Sequence, residues 1–254
     1  MVTDQSQRRI IAVVQARGGS KGIPRKNLRP LGGHPLVAHT IASGRAARRV
    51  MRVILSTDDP EIAAVGRRYG AEVPFLRPAA LATDDATDFP LFVHVIDWLA
   101  RHEQFTPDAI VQLRPTSPFL PPGLIDDAVL RLLSDPAADS VRSVVVPRHT
   151  PYKMWRPAGA YLEPLLECGL REPYNAPRQA LPTVYLQTGH VDVFWTRTVT
   201  EQGSLTGRRV LPIEVDARYC VDIDTPDDWK DAECLFQESK LELDNRELLG
   251  RSVG

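Results

Sequence analysis

The chain has 254 residues, 43% hydrophobic and 25% charged, with a formal net charge of −1. That is the composition of an ordinary globular protein, built as one large α/β domain or as a core with a smaller appendage. No apolar run is long enough to span a bilayer, the opening MVTDQSQRR lacks the apolar segment of a secretory signal, and three scattered cysteines (Cys168, Cys220, Cys234) suggest neither a disulfide framework nor a zinc site. The expected location is cytoplasmic.

The elements alternate along the chain. Apolar, β-rich runs stand at Ile10 to Val14 (IIAVV), Arg52 to Thr57, Asp108 to Leu113 and Ser140 to Val146. Helical patterns lie between them, over His34 to Arg48, Pro60 to Tyr69, Pro90 to His102 and Pro122 to Leu133, with prolines placed for first helical turns. Strands separated by helices predict βαβ units and a mostly parallel sheet covered on both faces. After Pro147 the chain turns rich in proline and aromatics and loses its period, then gives an alternating run, Thr183 to Thr196, that reads as strand. The stretch of about 147–196 is therefore expected to be an irregular insertion, a lid or subunit contact, within one domain spanning 1–254. The chain returns through Arg208 to Val215 and Cys220 to Thr225 and ends in an acidic helix from Pro226 to about Leu243.

Charge is unevenly spread. From Gln5 to Thr57 there are eleven Lys or Arg and no Asp or Glu, leaving 20 cations against 32 acids elsewhere. Part of this charge sits in QARGGSKGIPRKN, Gln15 to Asn27, which follows the first strand at the edge where open α/β sheets bind ligands. Gly18, Gly19 and Gly22 let backbone N–H groups approach a phosphate, and Arg17, Lys21, Arg25 and Lys26 can neutralise it. The run is neither a Walker A loop nor a dinucleotide fingerprint. Cations on glycine turns, rather than along a basic helix or among stacking aromatics, disfavour nucleic acid and fit a nucleoside triphosphate.

ARGGSKGIPRKNL followed by PLVAHTI resembles the signature of the acylneuraminate cytidylyltransferase family, which makes CMP-activated sialic acids and related sugars. STDDPEIA, AEVPFLRPAALATDDA, LRPTSPF, PRQALP and VDIDTPDDW continue the match in family order, from Arg9 to Trp229. The resemblance implies a Rossmann-like nucleotidyltransferase fold, magnesium dependence, and homodimers made through an inserted region. It implies that CMP passes from CTP to the hydroxyl of an acidic sugar and that pyrophosphate leaves. Ala16, Arg17, Gly18, Ser20, Lys21, Lys26, Asn27, Arg77 and Thr87 would bind the nucleotide, with Lys21 and Arg17 acting on the transferred phosphoryl group. Asp222 and Asp224, two apart in an expected strand and so on one face, would hold Mg²⁺; Thr225 or Asp224 would cap the helix that follows. Ser56 and Asp58 face the cleft or form a turn and cap, and Asp84, Thr87 and Asp88 close over the nucleotide or cap a helix.

The acceptor side departs from the pattern. Arg114, Thr116 and Ser117 belong to RPTSP, where the family has a glutamine in place of Arg114. This extra cation meets an additional negative group on the acceptor, a phosphonate included, or pairs internally. Lys153 and Arg178 match substrate-contacting positions, Arg178 the one that pairs with the sugar acid's carboxylate. LQTGHVDVFW replaces the family's NGAIY strand, so Gln187 and His190 would present different groups; His190 is a proton shuttle or a structural histidine.

Overall fold

A computed structural model describes residues 8–238 and 241–243. In chain order its elements are β1 (Ile10–Gln15), β2 (Pro30–Leu31), β3 (His34–Pro35), α1 (Leu36–Ala46), β4 (Arg52–Ser56), α2 (Pro60–Arg68), α3 (Asp88–Glu103) and β5 (Ala109–Leu113). There follow α4 (Leu124–Ser134), β6 (Ser140–Val145), β7 (Trp155–Ala158), β8 (Tyr161–Pro164), β9 (Leu186–Trp195), α5 (Thr196–Gln202), β10 (Val210–Glu214) and α6 (Pro226–Gln237).

Six strands form the main sheet in the order β10-β6-β9-β5-β1-β4. β1 pairs in parallel with β4 on one side and β5 on the other, β10 pairs in parallel with β6, and β9 runs antiparallel to both of its neighbours. The sheet is thus mostly parallel, as expected. Its strands are continuous runs of β-branched residues because both faces are covered. Ile10, Ala12 and Val14 of β1 pack into a core with residues of α1, α2 and α4, while Ile11 and Val13 pack among residues of α3 and α5. No helix among the described residues is long and apolar enough to cross a membrane.

Local chemistry sets the helix ends. Asp59 accepts from the backbone N–H groups of Glu61 and Ile62 ahead of Pro60, and Thr225 and Asp228 form a reciprocal capping box at α6. Thr225, not Asp224, is therefore the cap. α1 begins at Leu36 rather than His34, because His34–Pro35 pairs with Pro30–Leu31 around Gly32 and Gly33, both at positive φ. α6 ends at Gln237 rather than near Leu243; Leu241 and Leu243 leave the helix and are buried in the core.

Two expectations change. The run ending at Trp195 is β9, between β5 and β6 in the main sheet, so the excursion from the sheet closes near residue 185 rather than 196. Its only regular pairing is the hairpin of β7 and β8. Residues 220–224 form no strand, so a strand's alternation does not account for where Asp222 and Asp224 point.

Candidate active site

After β1 the chain reaches β4 on one flank and later β5 on the other, so the sheet's order switches at the carboxyl end of β1. Open α/β sheets leave a crevice at such a point. Here a cavity of about 460 Å³ opens there. The glycine loop supplies Arg17, Ser20, Lys21, Lys26 and Asn27 to its lining, and Arg77 and Thr87 enter from the segments after β4 and before α3. Asp84, Asp88, Arg114, Thr116 and Asp224 also line it.

The loop and the aspartate segment, roughly 200 residues apart in sequence, meet directly. Lys26 Nζ donates to the Ile223 carbonyl at 2.5 Å and to Asp224 Oδ1 at 2.9 Å. Lys26 is buried, and Asp224 supplies the counter-charge that its ammonium requires away from water. Ile223 N–H donates to the Thr116 carbonyl at 2.8 Å, tying the same segment to the end of β5. Asn27 Nδ2 donates to the Arg17 carbonyl at 2.9 Å and holds the loop's own curve. A Cβ on Gly22 would lie 2.2 Å from the Asp224 carbonyl oxygen, so the two backbones approach as closely as they do because residue 22 has no side chain.

The cations of the loop already hold a carboxylate. Asp84 bridges Arg17 Nη1 at 2.9 Å and Lys21 Nζ at 2.5 Å, and Arg17 also donates to the Thr83 carbonyl at 2.9 Å. Lys21's hydrogen bond and charge, with Arg17's, hold the Asp84 carboxyl below the ordinary range. Arg77 is buried and donates to Ser56 Oγ at 3.1 Å and the Ser56 carbonyl at 2.5 Å, rather than to a carboxylate. Burial lowers its pKa to about 10, which leaves it a cation at neutral pH. Arg25 is turned away onto Asp59 and Glu61 at the start of α2 and does not line the cavity.

Several expectations fall differently. Ala16 and Gly18 lie behind the cleft: Ala16 is buried with its N–H on the Ser56 carbonyl, and Gly18 N–H donates to Asp58 Oδ1 at 2.9 Å. Ser56 and Asp58 therefore brace Arg77 and the loop, and the cap of α2 is Asp59. Thr87 makes no side-chain cap at α3, so Asp84, Thr87 and Asp88 all belong to the cleft wall. Asp222 is not part of the lining. It accepts from the Thr116 side chain, and burial together with the charge of Asp224 raises its carboxyl above the ordinary range, against Lys26 and Arg114.

On the expected acceptor side, Arg114 pairs internally. Its Nη1 donates to Asp192 Oδ2 at 2.7 Å and its Nη2 to Asp88 Oδ2 at 3.1 Å. Ser117 is buried with its hydroxyl on the Thr188 carbonyl, and Gln187 donates to Asp192 at 3.3 Å. His190 is fully buried, with Nε2 3.0 Å from the Tyr219 carbonyl; burial lowers its pKa, and it is a structural histidine rather than a shuttle. Lys153 is exposed on a single turn of the excursion, and Arg178 donates to the Pro147 and Arg148 carbonyls beside a separate small pocket. Neither lines the cleft, because the irregular stretch carries both away from the sheet's edge. Missed from sequence were Gln15, whose buried Oε1 lacks a protein partner at the cleft end of β1, and the acid Asp192 within β9. The signal for Asp192 was an acid set between Val191 and Val193 in an apolar part of its strand, with Arg114 just after β5 and Arg142 within β6.

Comparison with known proteins shows the family and the fold. A family model described as cytidylyltransferase matches residues 11–157. The CMP-N,N'-diacetyllegionaminic acid synthase of Legionella pneumophila is 32% identical over 234 residues, covering 90% of this chain and 97% of that one. N-acylneuraminate cytidylyltransferase A of Danio rerio is 32% identical over 230 residues, covering 90% of this chain but 51% of the longer fish protein. Among solved structures, a CMP:2-keto-3-deoxy-manno-octonic acid synthetase complexed with CTP superposes with a TM-score of 0.66 at 16% identity, over 91% of this chain and 99% of that chain. A 4-diphosphocytidyl-2C-methyl-D-erythritol synthase from Anaerococcus prevotii gives 0.63 at 14% identity, over 91% and 96% of the two chains. These structural likenesses establish a Rossmann-like nucleotidyltransferase fold, and with the sequence matches they lead to one conclusion: the chain belongs to the cytidylyltransferase family of nucleotidyltransferases.

Proposed function

We propose that the chain transfers CMP from CTP to the hydroxyl of an acidic sugar of the sialic or related nonulosonic class, with release of pyrophosphate. The observation that carries this reading is the junction of Lys26 with Asp224 at 2.9 Å, which sets the cationic loop and the aspartate segment on one cleft. Arg17 and Lys21 exchange Asp84 for the triphosphate, and as the phosphoryl group moves they stabilise the charge that gathers on its oxygens. Arg77, a buried cation on Ser56, adds a fixed positive charge that needs no reorganisation. The family's naming for CTP, and the relatives named for legionaminic acid and N-acylneuraminate, support the donor and the acceptor class.

The carboxylates fit Mg²⁺. Among the described residues no group of three or more His, Cys, Asp or Glu could hold a metal, but Mg²⁺ is commonly taken by one or two carboxylates together with substrate phosphates and water. Burial and the neighbouring charge of Asp224 hold the Asp222 carboxyl above the ordinary range, a setting in which a bound cation would favour its ionised form. When bound, the ion would neutralise phosphate charge and orient the nucleotide. Arg114 and Thr116 form the acceptor end of the cleft. A phosphonate acceptor rested on spare charge at Arg114, and Asp88 and Asp192 leave none.

We also assign a homodimer through the excursion, whose hairpin places Leu162, 63% exposed, and Trp155, 42% exposed, on one face with Pro157 and Pro164. A two-stranded ribbon with an apolar face is marginal on its own. Sedimentation of Leu162→Asp as a monomer, against a dimeric parent, supports this; a monomeric parent overturns it. The reaction is tested by incubating the protein with CTP, Mg²⁺ and a panel of sialic and nonulosonic acids and measuring pyrophosphate. Release with one such acid is expected. CTP binding without release for any member would overturn the transfer.

A further inference from the structure

The acceptor end of the cleft rests on a buried ion network that crosses three strands. Asp192 of β9 is fully buried and sits opposite Gln112 of β5 and Arg142 of β6 in the sheet register. Its Oδ2 receives Arg142 Nη1 at 2.6 Å, Arg114 Nη1 at 2.7 Å and Gln187 Nε2 at 3.3 Å. Arg142 is fixed from its other side by Thr206 Oγ1 at 2.6 Å. Arg114 continues outward to Asp88, which also receives Gln112 Nε2 at 2.7 Å. Two arginines and two aspartates thus balance in charge, and only Arg114 and Asp88 reach the cleft.

We infer that Asp192 is a positioning residue for the acceptor step, setting the guanidinium plane of Arg114 at the cleft floor. A guanidinium has five N–H donors in a rigid fork. Asp192 and Asp88 take one from each terminal nitrogen, so the plane is fixed and the remaining donors have a set direction. Without the charge at Asp192, Arg142 keeps Thr206, while Arg114 is left with the more exposed Asp88 and lies in the field of Asp222. Its donors then no longer point to one place. The inference rests on the proposed transfer reaction for its kinetic consequence, but not for its geometry.

Two measurements on the full chain keep those apart. In spectra of ¹⁵N-arginine-labelled protein, Arg114 should show slow, resolved terminal nitrogens that coalesce in Asp192→Asn. In the pyrophosphate assay, Asp192→Asn should raise the acceptor KM at least about tenfold and leave the CTP KM within about twofold. The double variant Asp192→Asn/Arg114→Gln should be no worse than Arg114→Gln alone, since Asp192 acts through Arg114. Arg142→Gln, which loosens the network but spares the Asp192–Arg114 contact, should leave the acceptor KM near the parent's. Multiplying effects in the double variant, an Arg142→Gln defect equal to that of Asp192→Asn, or unchanged Arg114 resonances would each overturn the inference. If Asp192→Asn does not fold, the Arg142→Gln comparison and the Arg114 resonances of the parent still decide it: an equal CTP and acceptor defect in the former, or freely rotating nitrogens in the latter, sinks it. A parent that transfers nothing would refute the proposed reaction and leave the resonances to judge the positioning.

Discussion

Gly22→Ala should separate the two halves of the active site without touching any charged group. The added Cβ would stand 2.2 Å from the Asp224 carbonyl oxygen, and real Cβ atoms essentially never approach closer than 3.0 Å. The backbones must therefore part by at least 0.8 Å, and the obstacle is main chain, which cannot rotate aside as a side chain would. That displacement falls on the Lys26 contacts to Ile223 and Asp224, at 2.5 and 2.9 Å. A misplacement of about 1 Å in an aligned site costs on the order of 10²-fold in rate. Overpacking costs roughly 1–3 kcal/mol, and about 2–4 °C of melting temperature accompanies each kcal/mol in a chain of this size class. The expected outcome is a folded protein, melting several degrees lower, whose kcat for pyrophosphate release falls about a hundredfold. Gly19→Ala is the control, because nothing lies within 4 Å of a Cβ there and the residue is exposed. Turnover of Gly22→Ala within about threefold of the parent, or an equal loss in Gly19→Ala, would refute the claim that this close approach builds the site.

Asp84→Asn removes the carboxylate that competes with phosphate for Arg17 and Lys21, and calorimetry should find tighter CTP binding with a steeper salt dependence; weaker binding would make Asp84 a part of the nucleotide site instead. Asp222→Asn should abolish pyrophosphate release. It also has a pH signature: the carboxyl of Asp222 is raised by burial and by Asp224, so folding favours its protonated form, and that contribution is lost as pH rises through the raised value. Asn should then raise the metal-free melting temperature at pH 7, with the gap closing below the ordinary carboxylate range; a lower melting temperature at pH 7 would contradict the sign. His190→Gln should cost about 1–3 kcal/mol in denaturant unfolding, as a buried polar group is disturbed, while leaving the pH profile of kcat unmoved. A lost or shifted limb in that profile would restore His190 to the chemistry.

What could be read from the sequence was what neighbouring residues decide together. Ile10 to Val14 reads as a buried parallel strand because five consecutive apolar side chains must find cover on both faces, and the structure covers them with two helical layers. Arg17, Lys21 and Lys26 read as a phosphate loop because cations and glycines crowd one turn, the family resemblance added Ser20 and Asn27, and all five line the cleft. The readings that failed depend on partners far along the chain. Asp222 and Asp224 were expected to converge by strand alternation; instead Lys26 holds Asp224 at the loop, while Asp222 turns to Thr116, whose carbonyl also takes the Ile223 N–H. Arg25 looked equivalent to Lys26, yet its left-handed φ of 58° precedes the turn that buries Lys26, and Arg25 falls on Asp59 and Glu61.

Arg114 makes the same point in energetic terms. As a cation replacing an amide, it argued for a more negative acceptor only if its charge were available. The order of strands places β9 beside β5, and the register sets Asp192 opposite Gln112, two residues before Arg114. A buried acid there would be strongly disfavoured as an isolated charge, and Arg114 with Arg142 makes it tolerable. The substitution is thus one member of a neutral set rather than a new charge presented to the substrate. Under the proposed reaction, what Arg114 offers an acceptor is the direction of its remaining donors rather than spare charge, and that direction is what Asp192 is inferred to set.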